Sequence, residues 1–192
     1  MKAVSGRATP GVTRVLLRLP PALHRMLAKA AADADLSFNE LCVRRLSAPS
    51  DAQAQSAVRS LVVTRARAAF GDRLDAVLVL GSWARGEAAA TSDIDVLIVI
   101  DPKTALTRDL YRRWDQDPMS FDGRAVDAHF AHPSPAGTLP TAVWCEAAVD
   151  GVLWYDRDGS VAIRLGEVRR AIAEGRVVRA FAHGQPYWKG AA

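Results

Sequence analysis

Residues 76–100 read AVLVLGSWARGEAAATSDIDVLIVI, and the fold turns on how this stretch is parsed. An apolar run stops at Gly81-Ser82. Ten residues later Asp93-Ile94-Asp95 opens a second run that ends at Ile100, before Asp101-Pro102. Short apolar, β-branched runs between such breakers predict two buried strands, 76–80 and 94–100. Residues i and i+2 share one face of a strand, so Asp93 and Asp95 project side by side. Two carboxylates so placed repel unless a proton or a cation lies between them. Hard divalent cations such as Mg2+ are commonly held by one or two carboxylates together with substrate phosphates. Gly81 lets backbone approach a ligand closely, and the amides there, with the Ser82 hydroxyl, can donate to phosphate oxygens.

Working outward, residues 124–130 (RAVDAHF) predict a third strand. Asp127 sits there between Val126 and Ala128, and a carboxylate inside an apolar strand needs a partner. Its rivals have simpler readings. Asp122, in Phe121-Asp122-Gly123, reads as a hairpin turn, and Asp101 as a strand terminator. Three carboxylates beside a phosphate cradle describe a metal-dependent phosphoryl or nucleotidyl transfer site. His129, two residues on, shares the face of Asp127 and is not taken as a site residue. The periodicity predicts helices over 51–70, 104–114, 139–149 and 163–174, a short strand over 152–155, and an aromatic tail over 181–189. Tyr187 and Trp188 in that tail read as packing residues or as a cover for a nucleotide base.

The N-terminal part has a different character. Residues 1–60 carry nine Lys/Arg against four Asp/Glu, whereas 61–192 carry sixteen against seventeen. A basic segment joined to a near-neutral body suggests an anionic partner. A β-branched run, 12–19, ends at Pro20-Pro21, where Pro21 suits a first helical position. Leu23, Met26, Leu27 and Ala30 follow at helical spacing. Ser37-Phe38-Asn39-Glu40 has the form of a capping box that starts a second short helix. Residues 47–56 read as a linker or a helix lead-in. So short a segment buries little core alone and needs a partner.

The spacing Gly81-Ser82, ten residues, Asp93-Ile94-Asp95 resembles the signature of the DNA polymerase β superfamily of nucleotidyltransferases. Gly-Ser-x-Ala-Arg-Gly followed by Ser-Asp-x-Asp resembles its minimal members in particular. The resemblance implies an α/β fold with a short mixed sheet flanked by helices, two Mg2+ ions, and transfer of NMP from an NTP such as ATP. It implies Asp93, Asp95 and Asp127 as metal-binding catalytic residues, and Gly81, Ser82 and Arg85 as the nucleotide-binding set. Residues 12–47 resemble a ribbon-helix-helix segment of HicB-antitoxin type. That implies a homodimer through an N-terminal ribbon. Its Arg14, Leu16 and Arg18 would face operator DNA, with Val15, Leu17 and Leu19 toward the helices.

The chain thus divides as 1–50, a DNA-binding and dimerisation segment, and 51–192, a nucleotidyltransferase domain. By analogy with minimal members that act as antitoxins, a HEPN-type toxin is the expected partner. The alternatives are an antibiotic-type small-molecule adenylyltransferase and a non-catalytic nucleotide-sensing regulator. No apolar run approaches the roughly 20 residues that cross a bilayer, and no secretory leader is recognisable at the N-terminus. Cys42 and Cys145 lack metal-ligand spacing and read as reduced thiols. The expected location is cytoplasmic.

Overall fold

The computed structural model describes residues 16–33, 35–46, 52–89, 91–182 and 185–191. Two helices come first, α1 (Pro21–Asp33) and α2 (Phe38–Leu46), followed by the long α3 (Ala52–Phe70). Then come β1 (Leu74–Val79), the four-residue α4 (Gly81–Ala84), β2 (Ile94–Ile100), α5 (Arg108–Asp115), β3 (Ser120–Phe121) and β4 (Arg124–Ala131). The chain continues through α6 (Ala142–Asp150), β5 (Val152–Asp156), α7 (Ser160–Ala173), β6 (Val177–Ala182) and β7 (Gln185–Gly190).

The architecture is mixed α/β, as expected. Five strands form one sheet in the order β3-β4-β2-β1-β5. Neighbours run antiparallel except β2 and β4, which are parallel and joined by a crossover through α5. The period of two divides the core into two layers. Val77, Val79, Ile94, Val96, Ile98, Val126, Ala128 and Phe130 point to α3 and α5. There α3 contributes Val58, Val62 and Ala66, one residue per turn and each fully buried. Its final Phe70 joins an aromatic cluster with Trp114 and Phe130. Ala76, Leu78, Leu97 and Val99 point the other way, under α6 and α7. Leu61, next to Val62 on the same helix, is exposed.

In the N-terminal segment the capping box forms as read. The Glu40 amide donates to Ser37 Oγ at 3.1 Å, and the Ser37 amide donates to Glu40 Oε2 at 2.9 Å. His24 is exposed, and its ring lies beside that of Phe38 with centroids 4.9 Å apart. Residues 16–20 form no strand, and 12–15, with Arg14 and Val15, lie outside the described residues. Leu17, expected to face the helices, is more than half exposed. A strand is stable only when paired, and among the described residues 16–20 have no neighbouring strand. Helix α1 lies instead along α7. Leu23, Met26 and Leu27 face Ala148, Val149, Ile172 and Ala173 across a cavity of about 300 Å³. The predicted aromatic tail is a hairpin, β6–β7, and Lys29 of α1 stacks over its Phe181 ring at 4.5 Å.

Candidate active site

Helices α6 and α7 cover β1, β5 and part of β2, but stop short of most of β4. The uncovered corner is where the acidic residues gather. Asp95, one residue into β2, is half-buried between fully buried Ile94 and Val96. Asp127 is its register partner on β4. The parallel pairing therefore sets the two carboxylates on adjacent strands, facing one side. Asp101 lies at the far end of β2, where its carboxylate accepts from the Lys103 amide at 2.7 Å. Asp122 forms the β3–β4 turn at φ +52°. Neither rival is the register partner of Asp95.

Gly81 closes over Asp95. Its φ is +66°, a region that side chains rarely adopt. A Cβ at this position would stand 2.2 Å from Asp95 Oδ2. The residue must be glycine on two independent counts, backbone conformation and space. The β1 end is tied to the same strand, because the Leu80 amide donates to the Asp95 carbonyl at 2.8 Å. Ser82 follows on α4, partly buried, and Trp83 steadies that turn by an edge contact with Phe121.

Asp95, Asp127 and His129 each offer a ligand atom, and these atoms lie within 4.8 Å of one another. Asp93 is exposed just ahead of β2 and stands outside this group, although its charge still acts on Asp95. Burial raises the Asp95 carboxyl above its ordinary 3.8; His129 opposes this, Asp127 and Asp93 add to it, and Arg85 opposes it. A like-charged, partly desolvated carboxylate pair of this kind fits a divalent cation, which would relieve both the repulsion and the burial cost.

The pocket at this corner has a volume of about 310 Å³ and is lined by Gly81, Arg85, Asp95, His129, Val143 and Glu146, among others. That is at the small end of the range for ligand sites. Arg85 reaches it with its charge already engaged. Nε donates to Glu87 at 2.7 Å, and a second nitrogen lies 3.5 Å from Asp150. Burial disfavours the guanidinium charge, but these carboxylates more than offset it, and the Arg85 pKa is raised.

Leu16 and Arg18 are exposed ahead of α1, and neither lines this pocket. Sequence reasoning passed over Glu146 and Asp150. Their signal is present in α6: Trp144, Cys145, Ala147 and Ala148 take the core face, which leaves 143, 146 and 150 on the other.

Comparison with family models decides the class. Residues 63–143 match the nucleotidyltransferase domain. Residues 63–143 thus resemble a nucleotidyltransferase domain, and all three aspartates, the Gly-Ser turn and Arg85 fall inside that span. Residues 14–46 match the HicB family. No curated protein matches the chain. Among solved structures, one described as a nucleotidyltransferase from Sulfolobus solfataricus is similar at 23% identity, over 57% of this chain and 90% of that one, with a TM-score of 0.38. A toxin-antitoxin structure with AMP-PNP is similar at 12% identity, over 58% and 85%, with a TM-score of 0.37. A mutant of the toxin-antitoxin MntA-HpeT is similar at 11%, over 59% and 89%, with a TM-score of 0.36. Among the described residues no helix is long and apolar enough to cross a membrane.

Proposed function

We propose that this protein transfers NMP, specifically AMP from ATP, to a protein or RNA acceptor. We further propose that it serves as the antitoxin of a toxin–antitoxin pair and that its N-terminal segment dimerises and binds operator DNA. The observation that carries the catalytic part is the register pairing of Asp95 with Asp127 beneath a glycine that admits no side chain. The HicB match supports the DNA-binding part, with Arg14, Leu16 and Arg18 as the contacts and a HEPN-type toxin as partner. In this reading 1–50 is the operator-binding segment and 51–192 the catalytic domain.

Asp93, Asp95 and Asp127 would hold two Mg2+ ions. When bound, these neutralise the triphosphate and make the acceptor hydroxyl easier to deprotonate. The protein's own part is positioning. The amides around Gly81 and Ser82, with the Ser82 hydroxyl, hold the β- and γ-phosphates. Arg85 braces the turn against Glu87 and Asp150 and adds positive charge beside the phosphates. The acceptor oxygen attacks the α-phosphorus in line and pyrophosphate leaves. The strand keeps the carboxylates aimed, because their alternate neighbours are locked in the core.

The test is incubation with labelled ATP and Mg2+, with and without the products of neighbouring genes. Label on a neighbouring protein, lost in Asp95→Asn, is the expected result. Label on RNA would identify a tailing enzyme. Label on a small molecule would return the antibiotic-type reading. No label with any nucleotide or acceptor overturns the catalytic assignment.

A further inference from the structure

The family signature names three carboxylates, yet the ligand atoms that gather most closely are those of two carboxylates and an imidazole. His129 is two residues beyond Asp127 on β4, and both lie on the face that α6 and α7 leave open. It lines the same pocket as Gly81 and Asp95. Its Nε2 stands 3.7 Å from Asp127 Oδ2, beyond hydrogen-bond reach. Among the described residues the ring has no hydrogen-bond partner to orient it for any other task. Its side chain is half exposed, so it contributes little to the core. Nitrogen and carboxylate atoms within 4.8 Å of one another need only small side-chain rotations to meet a single cation at ligand distances of about 2.0–2.2 Å.

Resting on the reading of this corner as a metal site, we propose that His129 Nε2 is a ligand of the cation shared by Asp95 and Asp127. A carboxylate-only set suits Mg2+, whereas imidazole favours transition ions. The nitrogen therefore tilts the site toward Mn2+ or Co2+ at the expense of Mg2+. His129 is a specificity-determining ligand in this account, and Asp93 remains with the second ion and the triphosphate.

The probe is Mn2+ added to the full chain, followed by electron spin echo spectroscopy for nitrogen coupled to the ion. Wild type should show a nitrogen coupling that His129→Gln abolishes, since the amide offers an oxygen in its place. Partners that only support a metal ligand are worth 10–100-fold in affinity. The loss of a direct nitrogen should therefore weaken Mn2+ binding by at least about 10-fold, with a much smaller change for Mg2+. His129→Asp should move the preference further toward Mg2+. Circular dichroism of each variant separates ligand loss from misfolding. Bound Mn2+ without nitrogen coupling, or an unchanged Mn2+/Mg2+ ratio in His129→Gln, overturns the proposal. If wild type then still transfers nucleotide, the transferase reading stands without the histidine ligand. Nitrogen coupling in a protein that transfers nothing would keep the ligand and overturn the transferase reading.

Discussion

The two faces of the central sheet are built for opposite purposes. Under α3 and α5 the strands present an unbroken apolar surface, closed by Phe70, Trp114 and Phe130. Under α6 and α7 the cover ends early, and β4 shows Asp127 and His129 to solvent. Both faces are read out from the same strands. Ile94 and Val96 anchor β2 on the closed side, and with Gly81 packed over it Asp95 between them is held aimed at the open face. Burial on one face thus compensates for charge repulsion on the other. A loop would let the two carboxylates swing apart; paired strands do not.

The sharpest way to break this comparison is Asp95→Asn, which should leave the closed face intact while nucleotidyl transfer falls at least about 10²–10³-fold, the scale for loss of one preorganised electrostatic group. A fall of less than 10-fold would show that the open face does not carry the chemistry. The same variant tests the cost of aiming a carboxylate there. Burial, with Asp127 and Asp93, raises the Asp95 pKa against the pull of His129 and Arg85. Its contribution to stability is therefore complete below the ordinary 3.8 and is lost as pH rises through the raised folded value. In EDTA at neutral pH the Asn variant should unfold at a higher temperature than wild type, and the gap should close in acid.

Ile98→Ala is the converse experiment. It empties a fully buried position on the closed face and should cost about 2–5 kcal/mol in urea unfolding, with activity per folded molecule retained. Gly81→Ala should cost less, about 1–3 kcal/mol for strain at positive φ. It should nonetheless lose transfer, because its methyl group displaces the Asp95 carboxylate; full activity would refute the close contact. The smallest effect separates the two cysteines, Cys42 on α2 and Cys145 on the core face of α6. Cys145 is buried, and burial, helped by Glu146, pushes its thiol up to about 11. At pH 8 a thiol reagent should modify half-buried Cys42 first and reach Cys145 only on unfolding.

What the sequence made legible follows from the range of the forces involved. Local signals were decisive for α1, the capping box, α3 and β2, because period, caps and breakers lie within a few residues. Asp127 was legible as a polar residue in an apolar strand. That it faces Asp95 depends on the β2–β4 register, which no local pattern encodes. His129 was visible only as a residue on the same face, and its nearness to Asp95 again needs the pairing. The β6–β7 hairpin escaped because 181–189 mixes aromatics with Gly184 and Pro186, which read as breakers. Leu17 misled for another reason: alternation predicts a strand only where a neighbouring strand is there to pair with, and residues 16–20 pair with none among the described residues.

The parallel pairing has one more consequence, for the order of assembly. Asp95 and Asp127 stand on opposite sides of a crossover that runs from β2 through α5 and β3 to β4. Parallel strands cannot be joined by a tight turn, so the entropy of closing that loop is spent before any β2–β4 hydrogen bond repays it. The β1–β2 pair, with its Gly-Ser turn and Asp-x-Asp, is antiparallel and joined by a shorter connection, 80–93 against 101–123, so it closes more easily. During synthesis the first half of the cleft is therefore complete in sequence well before its opposite wall has left the ribosome. A chain interrupted ahead of Arg124 would display the full signature yet have nothing for Asp95 to face.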